Sequence, residues 1–202
     1  MRALVVAFAL ALFVSTAGGA GAYHNFWAQC NYATPASNES LTRDGAQTYS
    51  YTAAYEGYQW GGGCWNNNDV DEGWGDPPGD VSQRGEGPDC SGLVFKTWKE
   101  SENTANGGKY YWNPIRNVHG PYTAASFRDG VGAPNGLISK SVAGVMDGFA
   151  SGTHVGLIFF RGSGGWDQVM EAKCESCGTN IMSETYRSES AYGGIRRIGW
   201  TG

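Results

Sequence analysis

The chain has 202 residues, a formal net charge of −5, 41% hydrophobic residues and only 16% charged ones. Glycine fills 32 positions, far above a usual share of about 7%, beside 8 Trp, 11 Tyr and 8 Phe. That glycine content excludes a coiled coil or helical bundle, the aromatics exclude a disordered chain, and the absence of a Lys/Arg cluster excludes a nucleic-acid partner.

Arg2 precedes an apolar run over residues 3–14, and small residues follow as far as Ala20-Gly21-Ala22. This is the pattern of a secretory signal with its cleavage site. The run is shorter than the ~20 residues that cross a bilayer. The expected organisation is a signal peptide over 1–22, an N-terminal extension over 23–44 and one folded unit over 45–202. The mature protein is expected to be extracellular and monomeric, with no membrane span. Export puts Cys30, Cys64, Cys90, Cys174 and Cys177 in an oxidising setting, where disulfides form. Five is odd, so one thiol remains free or pairs between chains. Cys174-x-x-Cys177 has metal-ligand spacing, but it lacks a second such pair or a nearby histidine pair, and a short disulfide loop is the better reading.

In chain order, residues 45–57 suit a short helix. Tyr58-Gln59-Trp60-Gly61-Gly62 follows, and residues 63–88, carrying Cys64, Trp65 and Trp74, read as a long loop of Asn, Asp, Gly and Pro. Long loops in compact domains tend to be functional. Residues 89–100 read as a helix capped by Asp89, with Leu93, Val94 and Trp98 on one face. Residues 101–130 show no pattern, and 137–147 suit a second short helix. Residues 153–160 and 166–173 form a β-hairpin about Gly162–Gly165, and 194–200 read as a last short strand. The fold class is α+β, with the cysteine-bearing helix packed on a small antiparallel sheet.

Cys90 falls in the first turn of its helix, where backbone N–H groups and the helix dipole favour a thiolate. The same amides can donate to an oxyanion in acyl transfer. Taken alone, Cys90 reads equally well as a small buried hydrophobe or half of a disulfide. A nucleophilic cysteine needs a fixed base, itself oriented by a third polar group. Of the three histidines, His24 sits at the mature terminus and His119 in a Gly/Pro-flanked loop, whereas His154 opens a strand that can aim its ring. With the turn at Gly162–Gly165, Arg161 faces Trp166, Gly156 faces Glu171 and Lys173 faces His154. His154 and Glu171 then share a sheet face as diagonal neighbours, roughly 7 Å apart at the backbone. The plain alternative for Glu171 is a pairing with Lys173 or solvent.

Tyr58-x-Trp60-Gly61-Gly62, Asp89-Cys90-Ser91-Gly92-Leu93-Val94 and His154-Val155-Gly156 resemble, in this order, the motifs of the NlpC family. These are secreted cysteine peptidases with a papain-like core that cut the stem peptides of bacterial peptidoglycan. The resemblance covers about residues 45–173. It implies an NlpC-type catalytic domain over 45–202 with Cys90 as nucleophile, His154 as base and Glu171 as the residue orienting the imidazole. It further implies Tyr58 and Trp60 at the substrate groove, with Asp89 and Ser91 where relatives hold a substrate's free amine. Two departures stand out: the 63–88 segment is long for the family, and Met146-Asp147-Gly148-Phe149 replaces the usual Pro-Gly-Asp approach to the histidine.

The implied reaction is hydrolysis of an amide bond, γ-D-glutamyl to a diamino acid, with no metal or organic cofactor. Alternatives are an amidase that separates the sugar from the stem peptide with the same triad, and a non-catalytic wall- or glycan-binding protein. With Cys90 as the odd thiol, four cysteines allow three pairings. Cys174–Cys177 closes a tight local loop and leaves Cys30 with Cys64.

Overall fold

The structure, a computed structural model, describes residues 41–63, 65, 87–98, 122–131 and 135–201. The signal segment, His24, Cys30, Cys64, Trp74, most of the 63–88 loop and His119 lie outside the described residues. Three α-helices are present among them: α1 (Arg43–Tyr51), α2 (Cys90–Trp98) and α3 (Ala124–Asp129). Six strands follow: β1 (Asn135–Ile138), β2 (Gly148–Ala150), β3 (Val155–Phe160), β4 (Asp167–Cys174), β5 (Gly178–Glu184) and β6 (Gly193–Arg197). They form one antiparallel sheet in the order β1-β6-β2-β3-β4-β5. The architecture is α+β, as expected, and no helix among the described residues is long and apolar enough to cross a membrane.

Local chemistry sets the helix ends. The Thr42 hydroxyl caps α1 by accepting from the Gly45 amide, so the helix starts two residues before the expected 45 and ends at Tyr51, short of the expected Gly57. In α3, Thr123 and Ser126 form a reciprocal capping box, and Gly130 closes the helix at φ 64°. This short helix lies in the stretch where the sequence shows no pattern.

Helix α2 differs from an ordinary surface helix. Every side chain from Ser91 to Trp98 is buried, not only the Leu93, Val94 and Trp98 face. One side packs on β3 and β4. Val94, Phe95 and Trp98 join Leu157, Ile195 and Phe127 in the main core, while Leu93 meets Trp65 and Met170. Trp65 therefore leaves the long loop to become a core residue; its indole N–H donates to the Thr52 hydroxyl at 2.9 Å. The opposite sheet face holds a smaller cluster of Phe149, Ile158, Val169 and Tyr186.

The expected helix over 137–147 is not formed. Its residues make β1, a 3-10 turn over Lys140–Val142 and the approach to β2. Its first residues are drawn into pairing with β6, Leu137 opposite Ile195 and Ile138 opposite Gly194, and Met146 near its end sits at φ 60°, which no α-helix admits. Burial compensates this backbone: Met146 is fully buried, its amide donates to Ile158 O at 2.7 Å, and its carbonyl accepts from the Trp98 indole at 2.9 Å. Asp147, next in chain, is also fully buried and ties three elements together. It accepts a fork of bonds from Arg196, a bond from the Gly144 amide and an ion pair from Arg43 at 3.0 Å.

The β3–β4 hairpin has the expected pairing in its inner half, where Leu157 faces Met170 and Ile158 faces Val169. A bulge then shifts the outer half so that Phe160 faces Gln168, and the expected Arg161–Trp166 pairing does not occur. Asp167 anchors this outer end by accepting from the Arg187 guanidinium and the Gly162 amide.

Candidate active site

Cys90 begins α2 and Asp89 holds that beginning in place. One Asp89 oxygen accepts from the Gly92 amide at 2.6 Å and the Ser91 hydroxyl at 2.9 Å; the other accepts from the Gly61 amide at 3.1 Å. Asp89 thus caps the helix, as expected, and clamps it to the Tyr58–Gly63 turn. The clamp demands glycine: a Cβ on Gly92 would lie 2.0 Å from Gly62 O, and one on Gly62 would lie 2.4 Å from Gly87 O. Asp89 and Ser91 are both buried and bonded to each other. Tyr58 is 8% exposed and Trp60 is 49% exposed.

Burial and the neighbouring Asp89 carboxylate push the Cys90 thiol up to about 12. The backbone amides of Val155, Ser91 and Cys90 itself act in the opposite direction. The helix start therefore favours the thiolate, as the sequence suggests, but the desolvation of a charged sulfur is larger. The thiol is raised rather than lowered, which corrects the expectation of a lowered pKa. Cys90 is the free thiol among the described residues, and Cys174 and Cys177 form the expected disulfide. The expected partners Cys30 and Cys64 lie outside the described residues.

The Val155 backbone bonds to the Cys90 sulfur, and His154 immediately precedes Val155 in the chain. Ser151 shapes the approach: its hydroxyl accepts from the His154 amide at 3.0 Å, and its own amide donates to His154 O at 2.8 Å. The ring is fixed from the other side. Nε2 of His154 lies 2.6 Å from Glu171 Oε2, and Glu171 is fully buried. The parity argument for Glu171 thus holds in the structure. Gly156 makes the approach feasible, since a Cβ there would lie 2.6 Å from Val169 Cγ1 and 3.2 Å from Glu171 Cβ. With Nε2 committed to Glu171, Nδ1 is the ring nitrogen left for proton exchange.

Sequence reasoning missed the surroundings of Glu171. The Tyr186 hydroxyl donates to Glu171 Oε2 at 2.9 Å, and its ring meets the His154 ring edge-on at 5.8 Å. Lys173 stands 3.8 Å from Glu171 Oε1 and also pairs with Glu184. The alternative of a Glu171–Lys173 pairing is therefore present beside the histidine bond, not instead of it. Burial and the Glu171 charge hold the Glu184 carboxyl above its usual range. No sequence pattern marks Tyr186, which lies in the turn after β5.

The Cys174–Cys177 loop lies near the same region. The Thr179 amide donates to Glu56 O and its hydroxyl to Gly57 O, both at 2.8 Å, which seats the β4–β5 turn against the segment leading to Tyr58. Burial, Asp89, Cys90 and Glu175 together raise the Tyr58 phenol, so these groups surround it. A separate cavity of about 430 Å³, lined by Gln47, Thr48, Tyr51 and Phe159, lies at the other end of β3 from His154. The arrangement sets a thiol at a helix start, among backbone amides that favour an anion, and braces a histidine against a buried carboxylate. Comparison with protein-family models, curated proteins and solved structures finds no match for this chain.

Proposed function

We propose that the chain is a secreted cysteine peptidase of papain-like, NlpC-type fold that hydrolyses amide bonds in peptidoglycan stem peptides. The observation that carries this reading is the 2.6 Å pair of His154 with buried Glu171, where the residue after His154, Val155, bonds through its backbone to the helix-start cysteine Cys90. As Cys90 Sγ bonds to the substrate carbonyl carbon, its proton passes to His154 Nδ1 and the carbonyl becomes an oxyanion. Amides of the first α2 turn offset the oxyanion charge. The C–N bond then breaks, and the leaving amine takes the proton from His154. Water attacks the thioester, gives one proton to His154, and the C–S bond breaks with that proton returning to sulfur. Glu171 keeps the ring in the right tautomer and stabilises its charged form. No step requires a metal or organic cofactor.

Tyr58 and exposed Trp60 border the substrate in this reading. Asp89 and Ser91 act on it through the helix start that they hold, and their mutual bonding supports that task better than direct capture of an amine. The bond cut is γ-D-glutamyl to a diamino acid. Mass spectrometry of fragments released from purified peptidoglycan tests this: the peptidase leaves alanine on muramic acid, whereas an amidase removes it. Loss of all release in Cys90→Ala is expected. Release that persists in Cys90→Ala contradicts the peptidase, and full wall affinity with no cleavage by the wild type marks a binding protein instead.

A further inference from the structure

The carboxylate of Glu171 has a choice of partners. Oε2 meets both His154 and Tyr186, while Oε1 is buried, faces the Lys173 ammonium at 3.8 Å and has the Glu184 carboxyl beside the same group. A turn of the carboxylate toward Lys173 would complete that ion pair and release the histidine. Tyr186 opposes the turn because its hydroxyl engages the oxygen that His154 uses.

The phenol is itself rigidly held. Tyr186 is 4% exposed, its ring stacks on Tyr192 at 4.0 Å and 16°, and Lys173 lies over it at 5.7 Å. The Tyr192 hydroxyl lies against both the Tyr186 hydroxyl and Ser151, the residue that pins the His154 backbone. The two tyrosines thus join the ring support of His154 to its backbone support. The titratable groups around Glu171 are His154 from the start of β3, Lys173 on β4, Glu184 on β5 and the tyrosines from the β5–β6 connection.

We propose that Tyr186 is a positioning residue of this site, whose hydroxyl keeps the Glu171 carboxylate turned to His154 and away from Lys173. The inference rests on the reading of Cys90 and His154 as a working pair. Substrate contact is not part of the role.

Two measurements that need no substrate test it on the full mature protein. One is the downfield NMR resonance of the His154 ring proton shared with Glu171, assigned by its loss in His154→Ala. The other is the rate at which iodoacetamide labels Cys90 at neutral pH. Tyr186→Phe keeps the stacked ring and should broaden or erase the resonance and slow labelling about tenfold, the equivalent of one hydrogen bond to a charged group. Tyr192→Phe should have a smaller effect in the same direction, and it decides the matter if Tyr186→Phe does not fold. An unchanged resonance and rate in a folded Tyr186→Phe, or in Tyr192→Phe where that variant decides, overturns the proposal. Labelling that is equally fast in His154→Ala removes the Cys90–His154 pair itself and the proposal with it. Wall-fragment release, measured separately, shows whether the peptidase reading stands.

Discussion

At the scale of single residues, the site depends on where charge is tolerated. Glu171 is fully buried yet sits among a histidine, a phenol and an ammonium, so its task is electrostatic and directional. Glu171→Gln retains a hydrogen-bonding side chain of similar shape and removes the charge. It should lower kcat about 10–100-fold with KM little changed, a smaller loss than in Cys90→Ala. A loss as deep as in Cys90→Ala would give Glu171 a larger part than orientation. The Cys90 thiol makes a second prediction, about stability. Its folded-state value is raised from an ordinary 9.0 to about 12 by burial and Asp89. Its contribution to stability is therefore complete below the ordinary value and disappears as the pH rises toward the folded one. The buried phenols of Tyr58 and Tyr186 and the half-buried phenol of Tyr192 are raised too and act with the same sign. Thermal melts at about pH 8 and about pH 10 should show a larger fall for the wild type than for Cys90→Ala, and equal falls would contradict this.

At the scale of elements, the geometry of the site depends on how closely α2 meets the Tyr58–Gly63 turn. Gly92→Ala would place a Cβ 2.0 Å from a backbone carbonyl that has little room to retreat. It should cost about 1–3 kcal/mol and displace Cys90. Denaturant melts check the stability, and Cys90 labelling checks the displacement. Unchanged stability in Gly92→Ala would mean that the turn is looser than described. The elements also differ in how far they could be read from the chain. The α2 helix and the β3–β4 hairpin were legible because cap, apolar spacing and glycine turn agree there. The inner hairpin register followed from the turn, and the bulge near Phe160 did not, since nothing local signals it. The 137–147 stretch misleads because its apolar spacing is helical while Met146 adopts φ 60° under tertiary pairing. Strand β5 lies at the sheet edge, where its partly exposed residues do not alternate clearly.

At the scale of the whole molecule, three sequence-distant segments converge: a helix start, a strand start and a neighbouring strand. Cys90, His154 and Glu171 could be named beforehand because motif and parity both point to them. Lys173 was legible too, as the neighbour of Glu171 on the same strand; Tyr186 and Tyr192 were not, because their relevance depends on folding the β5–β6 connection back onto Glu171. The disulfide adds a covalent check. Alkylation of the native protein should label Cys90 and leave Cys174 and Cys177 unmodified; labelling of either would contradict the Cys174–Cys177 bridge. The claim at the centre is that Cys90 becomes acylated by a stem peptide. Intact-protein mass spectrometry of rapidly quenched mixtures with purified muropeptides measures it directly. An adduct with the mass of the acyl fragment, located on Cys90, released by hydroxylamine and absent in Cys90→Ala, is the predicted result. Cleavage that proceeds without any adduct and persists in Cys90→Ala would contradict the account.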